Sequence, residues 1–98
     1  MKIGVPKEIK NHEYRVGLSP ASAKELLAHG HDITIETGAA AGIGLSDEVY
    51  SSMGVKITSS VESIFAESDM IIKVKEPQAS ECLQLNRGQL LFTYLHLA

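Results

Sequence analysis

The alternation along this chain predicts an α/β fold: a mostly parallel five-stranded sheet with helices on both faces, in a flavodoxin-like or Rossmann-like three-layer arrangement. Five short β-rich runs, at residues 2–6, 33–37, 55–58, 70–74 and 90–95, are separated by four stretches that carry helix start signals. Strands that alternate with helices build βαβ units and hence a parallel sheet. Three short polar segments also follow apolar strand-like runs, as loops at the carboxyl edge of such a sheet would. Crossovers between parallel strands are almost always right-handed, which places the helices on two faces. Strand order is not fixed by these observations.

The first run, residues 2–6, leads into the polar segment Lys7-Glu8-Ile9-Lys10-Asn11-His12-Glu13-Tyr14-Arg15-Val16, a loop long enough to fold over the carboxyl edge. Ser19 then precedes Pro20, a capping residue followed by proline at the first helical position, and Gly30 supplies the stop. Between them Ala23, Leu26 and Leu27 share one face at helical spacing. After the strand at 33–37 comes Gly38-Ala39-Ala40-Ala41-Gly42-Ile43-Gly44, a glycine-rich link between strand and helix. It fails the G-x-G-x-x-G dinucleotide spacing, because Asp47 stands three residues after Gly44. It therefore reads as a tight connecting loop. Ser46, Asp47 and Glu48 start the second helix, their acidic charge suiting a helix N-terminus, and Gly54 ends it. Ser59 with Glu62 reads as a capping box for a third helix, with Val61, Ile64 and Phe65 as its buried stripe. A fourth helix is expected over about residues 78–85, started by Pro77 and followed by Gly88.

Composition bounds the function classes. Ninety-eight residues, 44% apolar and 21% charged, suit one ordinary globular domain spanning 1–98. A net charge of −3 argues against a nucleic-acid partner, which requires clustered Lys and Arg. No apolar run approaches the roughly 20 residues needed to cross a bilayer, and no secretory signal follows Met1. Cys82 is the sole cysteine, which leaves no internal disulfide and no zinc spacing; it reads as a partly buried structural thiol. His12, His29 and His31 do not cluster with acidic residues at metal-ligand spacing and read as surface or turn residues, so no metal is expected. A cytoplasmic location fits all of this.

The chemistry-bearing candidates follow the first, fourth and fifth runs. Arg15 offers a planar fork that can match a carboxylate in two parallel hydrogen bonds. From charge pattern alone it reads rather as a surface arginine paired with Glu8 or Glu13, and its place after the first strand is what favours a ligand role. Lys73 and Lys75 share a strand face by period two. Lys73 reads as a lysine snorkelling at the sheet edge, whereas Lys75 stands at the strand's end beside Glu76-Pro77, where a ligand would lie. His96, flanked by Leu95 and Leu97, is a packed histidine on its neighbours alone, yet its ordinary pKa near 6.5 suits a proton shuttle. Tyr94 lies two residues back on the same face. If the three runs are parallel strands, Arg15, Lys75 and His96 can converge at the carboxyl edge, where open α/β sheets bind ligands. Such a trio suits a small carboxylate whose carbonyl or amine carbon undergoes proton chemistry.

The same segments carry a family resemblance. Gly4-Val5-Pro6-Lys7-Glu8, the stretch from Asn11 through Arg15-Val16-Gly17-Leu18-Ser19-Pro20, Lys73-Val74-Lys75-Glu76-Pro77 and Tyr94-Leu95-His96-Leu97-Ala98 resemble the N-terminal part of the alanine dehydrogenase and pyridine nucleotide transhydrogenase family. Gly17 stands where that family more often has alanine. The resemblance implies an NAD-dependent oxidation of L-alanine to pyruvate and ammonium, with Arg15 and Lys75 binding the substrate and His96 as general acid/base. It implies that this chain is the N-terminal part of the substrate-binding domain, with the NAD-binding fold further along a longer chain. The end just after His96 accordingly reads as a shortened chain, inactive by itself. A homo-oligomer acting on a small molecule, without nucleic-acid or membrane partners, is expected of the whole enzyme. Two alternatives stand beside this reading. One is the NAD-binding subunit of proton-translocating transhydrogenase, which in general lacks equivalents of Lys75 and His96. The other is a non-catalytic small-carboxylate-binding module.

Overall fold

The computed structural model describes residues 1–9 and 15–93. In chain order the elements are β1 (Lys2–Val5), α1 (Pro20–Ala28), β2 (Asp32–Glu36), α2 (Asp47–Ser51), β3 (Lys56–Thr58), α3 (Val61–Glu67), β4 (Met70–Lys73), α4 (Ala79–Cys82) and β5 (Leu90–Thr93). The five strands form one sheet in the order β3-β2-β1-β4-β5, and every neighbouring pair is parallel. Of the two doubly wound orders compatible with the sequence, this is the Rossmann-like one. The chain winds outward from β1 through β2 to β3, then crosses back to lay β4 on the other side of β1. The winding direction therefore reverses between β1 and β4, the switch point beside which open α/β sheets place their ligand sites.

Period-two alternation divides the core between two faces. Ile3 and Val5 of β1, Ile33 and Ile35 of β2, and Ile72 of β4 pack in one cluster with Ala23 of α1 and Tyr50 of α2. Ile71, on the opposite side of β4, packs with Ile64 and Phe65 of α3. Helices thus cover both faces, as the alternation predicts. Gly4 shows how closely α3 sits on β1. A Cβ there would fall 2.2 Å from Ser68 Oγ and 2.6 Å from Ile64 Cγ2, so only a bare backbone fits beneath the helix's end.

The helix signals hold with two adjustments. Ser19 Oγ accepts a 3.2 Å hydrogen bond from the Ser22 N–H, Pro20 opens α1, and Gly30 follows at φ +86°. The expected Ser59–Glu62 capping box does not form. Ser60 is the cap instead, its Oγ accepting from the Ser63 N–H at 3.2 Å. The Thr58 hydroxyl oxygen accepts from the Ser60 N–H at 3.1 Å, which holds Ser60 in the extended conformation a cap requires. The fourth helix shrinks from the expected eight residues to a single turn, Ala79–Cys82, with Gln78 and Glu81 forming a capping box. On that turn Glu81 points inward and is buried, so Cys82, one residue on, is rotated outward. The thiol is exposed rather than partly buried.

Candidate functional site

The site is built on the exits of β1 and β4. After β4 the chain runs through Val74 and Lys75; after β1 it passes Pro6, Lys7, Glu8 and Ile9 and is next described from Arg15. A single carboxylate joins the two exits. Glu8 Oε2 accepts the Val74 N–H at 3.1 Å, and Glu8 Oε1 accepts the Lys75 N–H and the Lys73 ammonium, each at 3.2 Å. Lys73 Nζ lies 2.9 Å from the second carboxylate, Glu81 Oε2. All three side chains are withdrawn from water, with Lys73, Glu8 and Glu81 exposing 1%, 2% and 4%. The expectation that Lys73 snorkels at the edge is therefore overturned. Its ammonium turns inward because α4 and the β1 exit each bring a carboxylate to it, and burying any of these charges unpaired would be severely unfavourable.

Gly17 makes a second close approach between the same two exits. A Cβ at this position would lie 2.7 Å from the Ile72 carbonyl oxygen and 3.2 Å from Lys73 Cα, both backbone atoms of β4. The absent side chain lets the segment just after Arg15 rest against the strand. Leu18 is then fixed from the other side, where the buried Tyr50 hydroxyl donates to its carbonyl oxygen at 2.8 Å.

Arg15 lines an open cleft of about 290 Å³ together with Lys7 and Glu8; the far wall is Gly38, Ala39, Ala41 and Gly42 from the loop after β2. Lys7 is set by its own N–H, which donates to Glu36 Oε1 at 2.8 Å. Lys75, half-buried, is bound to the same Glu8 that lines this cleft, so the Arg15 and Lys75 segments meet at one residue. His96 and Tyr94, and with them the third corner of the expected convergence, lie outside the described residues, as does His12. A larger hollow of about 470 Å³ lies on the α3 side of the sheet, among Thr34, Lys56, Thr58 and Ser63, and contains none of the predicted site residues.

The glycine-rich loop behaves as a tight connection. Its residues Ala41–Ile43 form one 3-10 turn, and Gly38 and Gly44 take φ of +76° and +80°. Asp47 holds it closed, accepting from the Thr37 hydroxyl at 2.6 Å and from the Gly38 N–H at 2.9 Å. These hydrogen bonds, Thr37's first, keep the Asp47 carboxyl below its ordinary range of 3.8. A pyrophosphate has no fit here, because a carboxylate already occupies the loop's donor and would repel a second anion. Among the described residues there is likewise no group of His, Cys, Asp and Glu that could hold a metal ion, and no helix is long and apolar enough to cross a membrane. His29 ends α1 beside Glu25, and His31 approaches the amino terminus.

Sequence reasoning missed Glu8, which it treated only as a possible partner of Arg15. One signal did exist. Lys73 interrupts the apolar run Met70-Ile71-Ile72-Lys73-Val74, and a lysine in a strand covered on both faces needs a buried counter-charge.

A Rossmann-like sheet whose β1 and β4 exits are joined by one carboxylate at the switch point defines a class, the α/β domains whose ligand sites lie at the carboxyl edge. The comparisons make this particular. Residues 4–98 match the family described as "Alanine dehydrogenase/PNT, N-terminal domain", and the chain belongs to that family. It is 51% identical over all 98 residues to an alanine dehydrogenase of Halomonas elongata, covering 26% of that protein. A solved L-alanine dehydrogenase superposes with a TM-score of 0.92 at 48% identity, over 98% of this chain and 26% of that one. A transhydrogenase from Sinorhizobium meliloti superposes with a TM-score of 0.88 at 27% identity, over 97% of this chain and 27% of that one. The chain thus spans about a quarter of the length of the curated relatives it matches.

Proposed function

We propose that this chain is the N-terminal part of the substrate-binding domain of an NAD-dependent L-alanine dehydrogenase, which converts L-alanine reversibly to pyruvate and ammonium. The observation that carries the reading is the meeting of the Arg15 and Lys75 segments on Glu8 at the switch point of the sheet. Arg15 binds the substrate carboxylate through its guanidinium fork. Lys75 neutralises the carboxylate or polarises the carbonyl oxygen as a compact point charge. His96 moves protons to and from the carbinolamine as it forms and collapses. The hydride passes to NAD; the glycine-rich loop after β2 lacks the dinucleotide spacing, and the relatives are about four times longer than this chain, which supports an NAD site further along and inactivity of the 98 residues alone. Identity of 51% and 48% to alanine dehydrogenases against 27% to the transhydrogenase favours the amino-acid enzyme over the proton-pump subunit. Leu90, Leu91 and Phe92 on β5 are exposed, which suits an apolar edge covered by the remainder of a longer chain or by another subunit of a homo-oligomer. A cytoplasmic location accords with such an enzyme.

The test is to express the complete protein and follow reduced cofactor at saturating NAD with L-alanine, and its consumption with pyruvate plus ammonium. Turnover in both directions is expected. A complete protein that binds NAD but turns over neither substrate would overturn the reading, and so would turnover by residues 1–98 alone.

A further inference from the structure

We infer that Glu8 is a positioning residue of the carboxylate site, setting the relative placement of Arg15 and Lys75 through its bonds to the β4 exit. The inference rests on the alanine dehydrogenase reading and deepens it. Glu8 touches three donors with two oxygens, and two of the three are backbone N–H groups, those of Val74 and Lys75. Those two bonds fix where the backbone of Lys75 leaves the sheet. Glu8 itself belongs to the segment between β1 and Arg15 and lines Arg15's cleft. The far end of that segment is held as well, because Gly17 lies against the backbone of Ile72 and Lys73. Arg15 stands two residues before Gly17, and both Gly17 and Glu8 are held against β4 or its exit.

Lys73 has a different part in the cluster. Its ammonium bridges Glu8 and Glu81 and so keeps the Glu8 carboxylate buried beside the two N–H groups instead of turning out to water. Glu81 compensates charge without touching the backbone of Val74 or Lys75; its other oxygen accepts the Gln78 N–H at 2.9 Å. The two glutamates are matched in burial and both pair with Lys73, yet only Glu8 reaches the site-bearing backbone. That difference separates positioning from plain stability.

The experiment compares Glu8→Gln with Glu81→Gln in the complete enzyme. Steady-state constants for pyruvate and NADH and a thermal midpoint are measured for each. Glu8→Gln is expected to raise the pyruvate KM by about tenfold or more, the scale of a lost charge-assisted hydrogen bond, and to leave the NADH KM unchanged. Glu81→Gln is expected to lower the midpoint comparably with the pyruvate KM within about twofold of wild type. Equal KM changes in both variants, or none in Glu8→Gln, would overturn the positioning role. If Glu8→Gln yields no soluble protein, Glu8→Asp takes its place, since its shorter arm keeps a charge for Lys73 but cannot reach both N–H groups. A wild-type enzyme inactive on L-alanine refutes the functional reading instead, and is recognised before either variant is made.

Discussion

Replacing Tyr50 by phenylalanine removes one oxygen atom from the centre of the larger core cluster. The side chain is 1% exposed, and its hydroxyl donates a 2.8 Å hydrogen bond to the carbonyl of Leu18, itself 5% exposed. The ring keeps its packing, so no cavity term enters, and the change leaves a buried carbonyl without that donor. A buried acceptor deprived of its partner costs about 1–3 kcal/mol. The missing phenol no longer has to be desolvated, which returns part of this and places the net loss at about 1–2 kcal/mol. In a domain of this size, 98 residues, that corresponds to a fall of roughly 4–16 °C in the thermal midpoint. A pH signature accompanies it. Burial raises the Tyr50 phenol above its ordinary 10.0, so the unfolded chain ionises first as pH rises. The wild type's advantage over Tyr50→Phe is therefore complete below pH 10 and shrinks as pH climbs through 10 toward the raised value. The assay is chemical or thermal unfolding of both proteins at pH 7, 9 and 10.5. Leu18 lies three residues past Arg15, so a modest rise in substrate KM should accompany the loss. Equal midpoints at pH 7, or a gap that does not narrow above pH 10, would refute the reasoning.

Three further outcomes are expected. Arg15→Ala in the complete enzyme should raise the pyruvate and alanine KM, and Arg15→Lys should restore only part of it because a point charge cannot reproduce the bidentate fork; an unchanged kcat/KM in Arg15→Ala contradicts the carboxylate role. His96→Ala should lower kcat by roughly 10²–10⁴-fold and abolish a pH dependence near neutrality without lowering the thermal midpoint; a less stable but fully active variant identifies a packing residue instead. Asp47→Asn should destabilise the loop after β2, with a gap to wild type that is full above the unfolded pKa near 3.8 and closes as pH falls through the lowered folded value. Melting curves from pH 7 down to pH 2.5 test that, and a gap independent of pH rules it out.

Most of the architecture was legible because it depends on local signals. Strand runs, the Ser19-Pro20 start and the glycine stops each declare themselves within a few residues, and the sheet and α1 follow them to within two positions at the described ends. What stayed hidden depends on residues far apart. One of the two partners of Lys73 stands 65 positions away at Glu8, and nothing next to either residue announces the other. The cap of α3 moved from Ser59 to Ser60 because the Thr58 hydroxyl intercepts the backbone first, a competition between adjacent polar side chains that a motif does not encode. The fourth helix was overextended because Pro77 and Gly88 bound a longer stretch than the one turn that forms. The sequence places the Arg15 and Lys75 segments past β1 and β4, where they do meet, but nothing local marks Glu8 as the carboxylate that joins them.

The strand order has a consequence for how the protein is made. β1, made before the other four strands, becomes the middle of the sheet, and one of its flanks stays open until β4 has been translated. At roughly 5–20 residues per second, Glu8 leaves the ribosome about 3–13 s before Lys73 does. During that interval β1, β2 and β3 can assemble with α1 and α2 on one face, while Gly4 and the β1 edge wait for α3 and β4. The ionic cluster is completed only when Glu81 emerges, so the exits of β1 and β4 are joined late. A pause in translation between α3 and α4 would expose a half-sheet with an unpaired parallel edge, the species in which a chaperone would find its binding surface.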